Sequence, residues 1–281
     1  MKVDNYLPRE AEITKVVQET GINLNIKTFH LRFTDGEEMM AFKPGQFLML
    51  TVYGVGEAPF GLACAPTSDC QEIIISVKET GKVTSALHEF QEGDRVGIRG
   101  PYGNSFPLEK TSGKDVVFIS GGIGLAPLRS LIDYVLHPDL RQDFGRIQML
   151  QAFRSPEDML YDYEQQRWEN SPKTTVKYTI DRPCEGWEHC VGFPHDLIDE
   201  ELDCQTEDTV YYTCGPPIMI KAVTNELVNL GIDPEDIITT LEMRMSCGLG
   251  KCGKCNIGHH YVCKDGPVYS YKELLEMPDE F

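Results

Sequence analysis

The feature that most constrains this chain is a run of cysteines near its end. Cys247, Cys252, Cys255 and Cys263 are spaced C-x4-C-x2-C-x7-C. There are 10 cysteines in all; the others, at positions 64, 70, 184, 190, 204 and 214, are scattered. Four thiolates can hold two irons bridged by two sulfides, and the plant-type [2Fe–2S] spacing opens with the same C-x4-C-x2-C. Gly248, Gly250 and Gly253 stand among the thiols, where backbone without a Cβ can curl and aim its N–H groups at sulfur. Lys251 and Lys254 add positive charge around an anionic centre. The alternatives are a four-Cys zinc site and ordinary thiols. Structural zinc prefers two C-x2–4-C pairs, and only Cys252 and Cys255 are spaced so tightly. His259 and His260 lie beside Cys263, where two His could replace two Cys as in Rieske centres. With four cysteines already in place, both are expected to face solvent.

Charge and hydropathy patterning narrow the setting. No apolar run approaches the ~20 residues needed to span a bilayer. Lys2, Asp4, Arg9, Glu10 and Glu12 precede any apolar stretch, so no secretory signal and no membrane insertion are expected. A cytoplasmic chain is the expectation, and disulfides rarely persist there. Acidic residues number 44 and basic ones 26, for a net charge of −18. Such a balance repels phosphate backbones and anionic lipid, so nucleic acid is not an expected partner. The acidic stretch 196–208 reads as a solvated helix and loop in preference to a docking face.

Up to about residue 110 the chain reads as all-β. Runs at 12–18, 25–33, 47–53, 72–78 and 95–99 are rich in β-branched and aromatic residues, with Lys43-Pro44-Gly45-Gln46 and Gln91-Glu92-Gly93-Asp94 as turn signals. That spacing predicts a small antiparallel barrel, with one helix over 83–90. The pattern then changes to strand-then-helix. Strands are predicted at 116–120, 147–153, 175–180, 210–214 and 237–241, and helices end near Leu136 and at Gly231. A further helix is expected to open with Ser155 as N-cap and Pro156 in its first turn. Alternation of this kind gives a doubly wound parallel sheet. From Glu242 onward the chain is Cys- and Gly-rich, and some 40 residues need a staple. The predicted units are a β-barrel (1–110), an α/β domain (111–238) and a small Cys-rich module (239–281).

Two turns in the α/β region carry chemistry. The first strand runs into Gly121-Gly122-Ile123-Gly124-Leu125-Ala126-Pro127. A glycine turn there brings backbone amides and a helix N-terminus up to a pyrophosphate. The strand at 210–214 ends in Cys214-Gly215-Pro216-Pro217. Ligands of doubly wound sheets bind at such carboxyl ends. A tight turn, and a buried small hydrophobe at Cys214, are the bland readings.

In that order the three pieces resemble the ferredoxin-NADP reductase superfamily. Within it, the chain is similar to electron-transfer subunits with a C-terminal [2Fe–2S] module, of the sulfhydrogenase gamma and dihydroorotate dehydrogenase types. The stretches that carry the likeness are Gly100-Pro101-Tyr102-Gly103-Asn104, the two turns above, and 242–271. The resemblance implies FAD on the barrel, held by Phe60, Gly61, Leu62, Ala63 and Val77, with the pyrophosphate at Gly81, Val83, Thr84 and Ser85. Where the family has R-x-Y-S this chain reads Ala58-Pro59-Phe60-Gly61, and Lys82 stands where it can replace the lost arginine. The resemblance also implies NAD(H) or NADP(H) at Gly121, Gly122, Gly124, Arg154, Cys214, Gly215 and Pro216, with the cluster on the four cysteines.

The implied chemistry is hydride transfer from the nicotinamide to flavin, then single electrons to the cluster, with no acid–base side chain required. The implied partner is a catalytic or electron-bifurcating subunit, such as a hydrogenase, a sulfur or sulfite reductase, a dihydroorotate dehydrogenase or a heterodisulfide-reductase-like unit. Ala58 and Gly61 keep open a second reading, a flavin-free iron–sulfur scaffold or redox sensor. A zinc-stapled binding module is a third.

Overall fold

The computed structural model describes residues 6–36, 39–202 and 208–278. The first unit is an antiparallel sheet of β1 (Arg9–Gln18), β2 (Ile26–Phe33), β3 (Phe47–Val52), β4 (Gly56–Gly61), β5 (Ile73–Lys78) and β6 (Arg95–Tyr102), with α1 (Lys82–His88) after β5. The strand order is β4-β3-β6-β1-β2-β5. Past β4 the chain turns onto the opposite edge, where the Ala63 N–H donates to the Ile74 carbonyl at 2.8 Å. The expected barrel appears as a six-stranded antiparallel sheet whose two edges are brought towards each other by the segment after β4.

Alternation sets which face each strand buries. Leu48 and Leu50 of β3, Val96 and Ile98 of β6, and Ala11 and Ile13 of β1 share the interior. Phe47 and Met49, on the opposite face of β3, belong to a different core shared with the C-terminal residues. That explains why β3 is apolar at every position from Phe47 to Leu50: both its faces are covered.

β4 was not expected from sequence. It lies outside the predicted strands and its glycines and Pro59 lack strand propensity, yet it pairs along the length of β3, from Phe47 opposite Gly61 to Val52 opposite Gly56. It is the last strand in the sheet order, and edge strands are where proline is tolerated.

The second unit follows α2 (Leu108–Thr111). It comprises β7 (Asp115–Gly121), α3 (Leu125–Leu136), β8 (Ile147–Phe153), α4 (Asp162–Glu169), β9 (Thr174–Ile180), β10 (Cys190–Val191), α5 (Pro194–Glu201), β11 (Thr209–Cys214), α6 (Pro217–Asn229) and β12 (Ile237–Thr240). Val116 and Phe118 of β7 pack with α3, while Val117 and Ile119 pack with Ile198, Val223 and Leu227 of α5 and α6. Helices therefore cover both faces, as expected.

The helix predicted to start at Pro156 does not. Pro156–Asp158 make a single 3-10 turn, Ser155 makes no side-chain cap, and α4 opens only after Tyr161, a left-handed residue at φ +56°. Tyr161 explains the break. Its ring is fully buried, its N–H donates to Glu19 Oε2 at 3.0 Å, and its hydroxyl bonds Ser76 Oγ of β5 at 2.6 Å. The tie to the barrel overrides the local start signal. In the acidic stretch, α5 takes the first residues and Glu201 pairs with Lys177 at 3.1 Å. Asp203, Cys204 and Glu207 lie outside the described residues.

The C-terminal residues add a hairpin of β13 (Asn256–Ile257) and β14 (His260–Tyr261), α7 (Val262–Asp265), β15 (Val268–Ser270) and α8 (Tyr271–Leu275). β15 pairs antiparallel with β12 and extends the sheet, giving the order β10-β9-β8-β7-β11-β12-β15. The tail is not a separate globule with its own core. Cys255, Ile257, Val262 and Tyr269 pack against Phe47, Met49 and Tyr102 of the first unit. No helix among the described residues is long and apolar enough to cross a membrane.

Candidate functional site

The four cysteines of the tail come together as two pairs. The Cys247 thiol is in hydrogen-bonding contact with Cys252, and Cys263 with Cys255. Among the described residues, no group of three or more His, Cys, Asp or Glu is placed to hold a single metal ion. The loop supplies N–H donors to the sulfurs, as its glycines suggested. Leu249 and Lys251 donate to Cys247 Sγ, each at 3.3 Å, and Gly250 donates to Cys263 Sγ at 3.1 Å. Gly248 and Gly250 have φ of +73° and +68°, so the loop needs left-handed backbone at both.

Burial of Cys247 opposes ionisation, but the N–H groups of Leu249, Lys251 and Cys252 outweigh it and bring the thiol down to about 6. Burial and the neighbouring Cys255 push Cys263 up to about 12. N–H donors around sulfur favour the deprotonated thiolates that a cluster's ligands must be, whereas the crowding of Cys263 by Cys255 keeps that thiol protonated until a cation is there to bind it. Cys255 and Cys263 are buried and Cys252 is exposed, so one rim of the loop reaches solvent. His259 and His260 are both exposed at the hairpin tip.

The loop sits on the first unit. A Cβ at Gly248 would lie 3.1 Å from Met49 Cγ and from the Tyr102 ring. Gly103 approaches so closely that a Cβ would meet the Gly266 carbonyl at 2.6 Å. Asn104 completes the clamp. Its Nδ2 donates to the carbonyls of Asp265 (3.0 Å) and Val268 (2.7 Å), and its Oδ1 accepts from the Val268 N–H at 2.9 Å. Asn104→Ala orphans these groups, a loss of about 1–3 kcal/mol. Faster amide exchange at Val268 than in the parent chain is the expected readout; unchanged protection would show that the clamp carries no load.

The two glycine turns lie side by side at the carboxyl ends of β7 and β11, which pair with Cys214 opposite Ser120. Chain order reverses between these strands, so the turns flank the topological switch point, where such sheets bind ligands. A Cβ at Gly124 would lie 2.3 Å from the Cys214 carbonyl oxygen, and one at Gly215 would lie 3.2 Å from Gly121 Cα. Gly124 is therefore demanded by the approach of two backbones. Gly122, at φ +51°, faces open space. Cys214 is buried, its Sγ lies 2.9 Å from Thr240 Oγ1, and burial raises the thiol to about 12. Pro216 immediately precedes α6, and Arg154, past β8, pairs with Asp158 at 3.4 Å.

The flavin candidates divide. Phe60 and Gly61 are half-buried, and a Cβ at Gly61 would lie 3.4 Å from Pro127 of α3, so the end of β4 abuts the first glycine turn. Gly56 approaches Val83 of α1, where a Cβ would lie 3.2 Å from Val83 Cγ2. These contacts bring β4, α1 and the switch point together. Leu62, Ala63 and Val77 are buried, and their backbone groups are committed. Leu62 N–H donates to Gln46, Ala63 N–H to Ile74, and the Val77 carbonyl meets His88 Nε2 at 2.9 Å. Thr84 Oγ1 is likewise engaged by the N–H groups of Thr80 and Gly81, each at 2.9 Å, and Ser85 by Glu79. Gly81 and Lys82 are exposed.

Comparison with known proteins agrees with this layout. Residues 13–106 match the oxidoreductase FAD-binding domain, 118–225 the oxidoreductase NAD-binding domain, and 242–275 the iron–sulfur cluster binding domain of dihydroorotate dehydrogenase B. Sulfhydrogenase 1 subunit gamma of Pyrococcus furiosus is 37% identical, over 98% of this chain and 95% of that one. A probable dihydroorotate dehydrogenase B (NAD(+)) electron transfer subunit of the same organism is 35% identical, over 89% and 87%. The structure of an NADH-dependent reduced ferredoxin-NADP oxidoreductase shares the fold, with a TM-score of 0.73 at 22% identity over 96% of this chain and 93% of that one. By these matches the chain belongs to the family of electron-transfer subunits that includes sulfhydrogenase gamma and the dihydroorotate dehydrogenase B electron transfer subunit.

Proposed function

We propose that this chain is the diaphorase subunit of a larger oxidoreductase, moving electrons between NAD(H) or NADP(H) and a catalytic or electron-bifurcating partner subunit. The observation that carries this reading is the juxtaposition of two thiol pairs, fed by three loop N–H groups, with the strand β3 that also pairs β4. Bound FAD, nicotinamide and a [2Fe–2S] cluster would supply hydride transfer and its division into single electrons. The protein's residues position those groups.

Two thiol pairs suit a centre of two irons, each needing two thiolates: Cys247 with Cys252, and Cys255 with Cys263. Phe60 and Gly61 offer the half-buried flavin surface, with the exposed Gly81–Lys82 turn at the phosphate end. Gly121, Gly122, Gly124, Gly215 and Pro216 shape the dinucleotide turn, and Arg154, past β8, is the cation that would meet a 2′-phosphate. The units 1–110, 111–238 and 239–281 would each hold one group, in the cytoplasm. The match of 13–106 to a FAD-binding domain favours this over a flavin-free scaffold.

Anaerobically purified chain should release FAD on denaturation and carry about two irons and two sulfides per chain. It should also reduce dyes with NADH or NADPH. Zinc without iron would overturn the assignment of the thiols. The dinucleotide turn has its own test. Gly122→Asp places a carboxylate in the open space at φ +51°, a conformation that Asp and Asn tolerate. Its repulsion of a pyrophosphate should weaken dinucleotide binding at least tenfold by calorimetry, with Gly122→Asn much closer to the parent. Equal affinity in all three would remove the site from this turn.

A further inference from the structure

Arg99 is a buried cation that the cluster and flavin assignments leave unused. It lies on β6, is 9% exposed, and stands opposite Met49 of β3 on the face that carries the cysteine loop. Its guanidinium joins Glu57, Tyr102 and Cys247. Nε donates to Glu57 Oε1 of β4 at 2.8 Å, and Nη2 donates to the other oxygen of the same carboxylate. Nη1 donates to the Tyr102 hydroxyl and to the Cys247 carbonyl, each at 3.2 Å. Glu57 is itself oriented by Thr51 Oγ1 at 2.9 Å. It directly precedes Ala58, the first residue of the flavin-matching stretch.

A planar fork with fixed donors can make all of these bonds together; an ammonium cannot. The result is a charged link from the flavin strand to the backbone of the first thiol ligand. A half-buried pair at this depth is poorly screened, so each of its charges acts on a nearby group whose own charge changes.

We propose that Arg99 and Glu57 form a positioning pair that tunes the cluster's affinity for its electron: Arg99 raises it and Glu57 lowers it. The inference rests on the cluster assignment above. Reduction adds one negative charge close to Cys247. A cation held on the Cys247 carbonyl stabilises that charge, and the carboxylate behind it tempers the effect.

The test is an EPR-monitored redox titration of the anaerobic full-length chain. Arg99→Met should lower the reduced-to-oxidised ratio at fixed potential by about tenfold, which is about 59 mV for a one-electron couple. Glu57→Gln should raise the ratio by a similar factor. Arg99→Lys keeps the charge without the fork and should stay within about threefold of the parent. A clamp with no electrostatic role would move the Met and Gln variants the same way or leave both unmoved, and either result overturns the proposal. If Arg99→Met does not fold, an unshifted Glu57→Gln variant overturns it equally. Absence of any cluster signal from the parent chain would instead sink the functional reading, and this inference with it.

Discussion

Arg129→Met is expected to destabilise the chain by about 3 kcal/mol, the lower end of what breaking a buried ion pair costs. Arg129 lies on α3 and is 7% exposed. It donates to the Ala63 carbonyl of the first unit, pairs with Glu164 at 2.6 Å and Asp133 at 3.4 Å, and sits 4.9 Å over the Tyr161 ring. Methionine fills the volume but leaves two largely buried carboxylates and an orphaned carbonyl. The half-exposed Arg167, which bonds both carboxylates, softens the loss.

The effect depends on pH. Burial raises Glu164, but Arg129 and Arg167 outweigh burial and hold it below the ordinary carboxylate value. A depressed folded value gives stability that is present above the unfolded value and lost as pH falls through the folded one. The gap between parent and variant should therefore narrow in acid. Urea midpoints at neutral and acidic pH, with unchanged slopes, would check both statements. Equal midpoints at neutral pH would mean that this network does not hold the two units together.

Cys252→Ser should strip the iron while sparing dye reduction. Cys252 is exposed, so the change costs the fold little, yet it removes half of one thiol pair. Iron per chain should fall severalfold, and NADH- or NADPH-driven dye reduction should keep at least half its rate. Loss of dye reduction with flavin still bound would mean that electrons do not reach the flavin first. By contrast, Gly124→Val would not report on the dinucleotide at all. Its side chain would collide with the Cys214 backbone before any ligand arrived.

The parts legible in the sequence were those with strong local signals. β8 appears at its predicted residues 147–153, because an all-apolar central strand has one stable place to go. The cysteine spacing and its glycines announced a thiol loop. β4 stayed hidden because Pro59 and its glycines lack strand propensity, and only pairing with β3 makes the segment extended. The late start of α4 was hidden too, since the bonds of Tyr161 to Glu19 and Ser76 cross more than 80 residues of sequence. Arg99 gave no signal beyond membership of a strand; its role depends on Glu57 and Cys247, which only the fold brings together. Leu62, Ala63 and Val77 were named by analogy, and the structure spends their backbone groups internally.

The tail's last strand belongs to the nucleotide-side sheet through β12, while its core belongs to the barrel through Phe47, Met49 and Tyr102. It therefore works as a cross-brace. Any hinge opening between the halves must either shear that ladder or tear the thiol loop from its seat. Nucleotide arrival and departure should accordingly leave the thiol loop on its seat against Phe47, Met49 and Tyr102.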